Sequence, residues 1–85
     1  RGGLKVVAEL RKPPSPETLE TLKNLGGIDE VTVDGPYVTM IMNGADLRDE
    51  VARILANSGS GLLELKTTTP TLEEIFIKVV ENALR

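Results

Sequence analysis

Two extended runs separated by little more than Gly35-Pro36 constrain this chain more than any other feature. The first, Ile28-Asp29-Glu30-Val31-Thr32-Val33-Asp34, is rich in β-branched residues, which suit a pleated, half-buried surface. The second, Tyr37-Val38-Thr39-Met40-Ile41-Met42, is of the same kind. A turn built on Asp34-Gly35-Pro36 leaves no room for a crossover, so the two runs must pair as an antiparallel hairpin. Val31 and Val33 are expected to point inward. Every other element has to be arranged around that hairpin.

Upstream, Leu4-Lys5-Val6-Val7-Ala8-Glu9-Leu10 alternates, with Leu4, Val6, Ala8 and Leu10 on one face, as a half-buried strand does. Arg11-Lys12-Pro13-Pro14 ends it, because proline cannot join a ladder. Ser15 then caps a short helix with Pro16 at its first position, Leu19, Leu22 and Leu25 facing inward, and Gly26-Gly27 as the stop. Downstream of the hairpin, Asn43-Gly44 breaks the chain. A second helix is expected from Ala45 or Asp46, with Leu47, Val51, Ile54 and Leu55 inward and an Asp49–Arg53 pair on the wet side. Asn57-Ser58-Gly59-Ser60-Gly61 closes it, and Leu62-Leu63-Glu64-Leu65-Lys66-Thr67 forms a fourth strand. The order β-α-β-β-α-β-α predicts an α+β fold. It is the ferredoxin-like βαββαβ arrangement, an antiparallel sheet in the order 4-1-3-2 with two helices on one face, plus a C-terminal helix.

That last helix is the most sharply written element. Pro70 pushes Thr69 into an extended conformation. Thr71 and Glu74 then have the spacing of a capping box, in which the hydroxyl accepts the N–H three residues on and the carboxylate reaches back. Leu72, Ile75, Phe76, Val79, Val80, Ala83 and Leu84 follow as one apolar stripe, with Ile77 on the far side. The other sheet face is expected to carry Lys5, Val7, Glu9, Thr39, Ile41, Leu62, Glu64 and Lys66. The short connection predicts that the helix docks on that face or on the sheet edge, burying Leu72, Phe76 and Val79 and leaving Glu73, Lys78 and Glu81 wet. The rival is a helix that swings out to a partner domain or a second copy.

Composition bounds the chemistry. Eighty-five residues, 40% of them hydrophobic, make one small domain with an aliphatic core, since Tyr37 and Phe76 are the only aromatic residues. The Arg1 start is read as a domain, residues 1–85, cut from a longer chain, with residues 1–3 as a linker. With neither cysteine nor histidine the chain lacks thiolate chemistry, the commonest general base and the commonest transition-metal ligand. A net charge of −3 and a single tyrosine argue against nucleic-acid binding. Asp29, Glu30 and Asp34 match no defined metal loop and read as solvated edge and turn carboxylates. Gly26-Gly27 and Gly59-Ser60-Gly61 lack the strand–glycine–helix context of a phosphate cradle and read as stops and turns. Thr67-Thr68-Thr69 reads as a strand end, and Met40 and Met42 as core filler.

The run P-T-L-E-E-I-F-I-K-V-V, after a Gly-Ser-Gly turn and an L-L-E-L-K strand, resembles the C-terminal end of the ATP-binding subunits of drug-, polyketide- and daunorubicin-resistance-type ABC exporters. Pro70, Leu72, Glu73, Glu74, Ile75 and Phe76 carry the likeness, as structural or interaction residues. The resemblance implies a non-catalytic accessory domain that packs on or tunes a nucleotide-binding domain. Its implied partners are that domain in the same chain and possibly a second copy, with the membrane permease reached only indirectly, in the cytoplasm at the inner face of the membrane. No cofactor is implied here, because ATP and Mg²⁺ would bind the missing domain. This chain has no G-x-x-x-x-G-K-[ST] loop, ABC signature or switch histidine, so no ATPase role transfers to any of its residues. The alternatives are a small-molecule-sensing βαββαβ regulatory domain and, more remotely, a small acylphosphatase-like enzyme.

Overall fold

A computed structural model of the chain describes residues 3–69 and 71–84, without the side chains of Ile75 and Lys78. The elements are β1 (Leu4–Leu10), α1 (Pro16–Lys23), β2 (Ile28–Asp34), β3 (Tyr37–Met42), α2 (Arg48–Ala56), β4 (Leu62–Thr68) and α3 (Leu72–Ala83). The four strands form one antiparallel sheet in the order β2-β3-β1-β4, which is the expected 4-1-3-2 read from the other edge. Helices α1 and α2 cover one face. Val6, Ala8 and Leu10 of β1, Val38, Met40 and Met42 of β3, Leu22 of α1, and Val51 and Leu55 of α2 are sealed from solvent as a single core. The two methionines are core filler, as the sequence suggests, and the Met42 Sδ also accepts the Leu47 N–H at 3.4 Å.

Local chemistry accounts for most boundaries. The Ser15 hydroxyl accepts the Thr18 N–H at 3.1 Å, with Pro16 opening α1. Gly27, with φ at 102°, lets the chain leave that helix in a conformation that other residues resist. The second helix begins later than Ala45 or Asp46. Asp46 stays outside it and accepts the Arg48 N–H at 3.0 Å, while its carboxylate also pairs with the Arg48 guanidinium at 2.6 Å. Asp49 and Arg53 form the expected pair at 2.9 Å. Gly3, the described part of the lead-in, lies half-buried against Met42, where a Cβ would fall 2.0 Å from the Met42 carbonyl oxygen.

The edge strands depart from simple alternation. In β4 the register steps from Glu9↔Glu64 to Leu10↔Leu62, so Leu63 is an extra residue facing solvent. Leu62 therefore packs on the core alongside Leu65 rather than standing on the open face, where strict alternation places it. In β2 the step from Ile28↔Met42 to Glu30↔Ile41 does the same at Asp29 and brings both Ile28 and Val31 to the core. Bulges on both edges also discourage pairing with another chain. Val33 shares the helix side with its partner Val38 but is 41% exposed. It is not the inward residue expected.

A candidate contact helix

Helix α3 starts as its sequence dictates. The Thr71 hydroxyl accepts the Glu74 N–H at 3.1 Å, and the Glu74 Oε1 accepts the Thr71 N–H at 2.8 Å, so the capping box is closed in both directions. Glu73 and Glu74 both lie in the first turn, near the positive end of the helix dipole.

The second Glu74 oxygen does something the sequence did not announce. Oε2 accepts a hydrogen bond from the Lys5 Nζ at 2.6 Å, an ion pair between residues 69 positions apart. Lys5 belongs to the sheet face that α1 and α2 leave uncovered, because its partners Ile41 and Thr68 alternate with the core residues Met40 and Thr67. The Glu74 carboxyl is held below the usual carboxylate range, first by the Lys5 ammonium and then by the Thr71 N–H. One residue thus caps the helix and pins it to the sheet.

That pin sets the rotation of the helix. At 3.6 residues per turn, Leu72, Phe76, Val79 and Ala83 share one side of α3, with Glu74 and Ile77 roughly opposite. The Glu74 side is turned toward the body, and the apolar stripe is turned away. Leu72 is 86% exposed, Phe76 67% and Val79 59%, whereas Ile77, on the supposed far side, is 48% exposed. The expectation that α3 buries Leu72, Phe76 and Val79 in its own domain is therefore corrected. Glu73 and Glu81 are exposed as expected, and Lys78 lies outside the described side chains. The physical reason is that the core between the sheet and α1–α2 is already closed, and a single ion pair orients the helix with its polar side inward.

Of the residues that carry the exporter resemblance, Leu72, Glu73 and Phe76 stand in solvent and Glu74 makes the contacts above. Pro70 and the side chain of Ile75 lie outside the described residues. The other sequence candidates do not converge. Asp29 sits in the β2 bulge and accepts a hydrogen bond from the Asn43 side-chain amide, while Glu30 and Asp34 lie apart on the β2 ladder. Among the described residues no group of three or more potential ligands could hold a metal ion, and no helix is long and apolar enough to cross a membrane. Gly59 and Gly61 have φ of 86° and 83° and serve the turn into β4. Thr67 and Thr68 are ladder residues opposite Val6 and Lys5.

The sequence did carry a signal for the Lys5–Glu74 contact. A lysine on the uncovered face faces an unmatched acid wherever the final helix begins, and a capping-box glutamate has one oxygen to spare. No protein-family model, curated protein sequence or solved structure matches this chain.

Proposed function

We propose that this chain is a non-catalytic accessory domain of the ATP-binding subunit of a drug- or polyketide-type ABC exporter. It works at the cytoplasmic face of the membrane and uses α3 to pack on, or tune, the nucleotide-binding domain. The observation that supports this reading is the outward-turned stripe of Leu72, Phe76 and Val79, which coincides with the segment that carries the family resemblance. An apolar helix face held in solvent by its own capping residue suits a contact with another protein. In this reading ATP and Mg²⁺ belong to the nucleotide-binding domain, and the domain needs no cofactor of its own.

The test starts from the coding sequence ahead of Arg1, where a phosphate loop, a signature and a switch histidine are expected. In a subunit that contains both parts, Phe76→Glu should lower ATP-driven export while ATP binding stays unchanged. Unimpaired export by that variant would overturn the assignment of α3 to the coupling surface.

A further inference from the structure

Two surfaces of this molecule lack a covering layer. One is the stripe of α3, and the other is the sheet face opposite α1 and α2. The second is read directly from the register: Glu30, Ile41, Lys5 and Thr68 form one row, Thr32, Thr39, Val7 and Lys66 the next, and Asp34, Tyr37, Glu9 and Glu64 the last. Its middle is weakly polar and apolar, with Val7, Thr39 and Ile41 half-buried by their neighbours alone. The helix does not close over this face in its own chain. The Lys5–Glu74 pair holds it at the first row with the stripe facing away.

We infer that the occupant of each surface is a second copy of this chain, in a reciprocal dimer in which α3 of each copy lies stripe-down across the open sheet face of the other. Size favours this arrangement over helix-to-helix packing. Specific interfaces engage roughly 20–30 residues a side. The twelve residues of α3 alone fall short of that number, whereas α3 together with the twelve open-face positions reaches about two dozen. Charge agrees. Lys66 on the open face and Glu73 at the border of the stripe are both exposed, and neither forms an ion pair among the described residues. The acids of the helix crowd its first turn, so that turn is expected beside Lys66 and away from the row holding Asp34, Glu9 and Glu64. A two-fold axis satisfies both contacts at once, as isologous association requires.

The inference rests on the reading of α3 as a contact helix and not on the ATPase assignment, so it is tested on the isolated chain with no nucleotide-binding domain present. Sedimentation equilibrium from micromolar to millimolar concentration should show the mass rising from 9.2 kDa toward twice that value. Phe76→Glu on the stripe and Val7→Glu on the open face should each leave the chain monomeric with an unchanged circular dichroism spectrum. Thr39→Glu replaces Val7→Glu if the latter fails to fold. Mixing the Phe76 and Val7 variants should restore part of the association, because a mixed dimer keeps one intact helix-on-sheet contact. Three results would overturn the inference: a wild-type chain that stays monomeric at millimolar concentration, an open-face variant that still dimerises, or mixed variants that associate no better than either alone. The second of these would point to helix-to-helix packing.

Discussion

Helices α2 and α3 are both short and amphipathic, and the molecule treats them in opposite ways. Val51 and Leu55 of α2 are fully buried, whereas Leu72 and Phe76 of α3 are 86% and 67% exposed. The difference does not lie in the helices themselves. Helix α2 is threaded between β3 and β4, so its crossover drops it onto a face where β1 and β3 present an apolar surface. Helix α3 follows the last edge strand, meets the opposite face and is caught there by Lys5 through its polar side. An apolar stripe states that a helix seeks cover. Only the rest of the structure states where that cover is.

The sharpest way to break this contrast is to damage the covered side. Leu55→Ala removes a fully buried side chain from the core and is expected to cost about 2–5 kcal/mol, a large part of the stability of a domain this size. Urea titration checks it, and a loss below about 1 kcal/mol would mean that α2 packs no more firmly than α3. Smaller, on the same side, is the loss of a cap. Ser15→Ala frees the Thr18 N–H and should cost about 1 kcal/mol in the same titration.

Acid tests the other side. Because Lys5 and Thr71 depress the Glu74 carboxyl in the folded chain, the pair contributes at neutral pH and is lost as the pH falls through that depressed range. Nuclear magnetic resonance should then show the anchored start of α3 released while the β1–β3 ladder keeps its signals. Lys5→Met should reproduce the release at neutral pH. An α3 whose signals are the same with and without Lys5 would mean that the ion pair does not hold it.

The hairpin, the strand order, the Ser15 cap and the capping box were legible because each depends on residues adjacent in sequence. Leu62 and Asp29 were not, because alternation assumes an unbroken period of two, and each bulge inserts a residue that shifts the phase. For α3, periodicity found the stripe but not the direction it faces. That direction depends on a charge pair between the two ends of the chain, and residues 69 apart have no local pattern to link them.

Thermal unfolding of Phe76→Ala, at a concentration where the chain is monomeric, tests most directly whether the core is complete without α3. With Phe76 67% exposed, the variant should unfold within about 0.5 kcal/mol of the wild type, as surface substitutions do. A loss of about 3–5 kcal/mol, the cost of truncating a core phenylalanine, would place the stripe inside the domain and contradict the account.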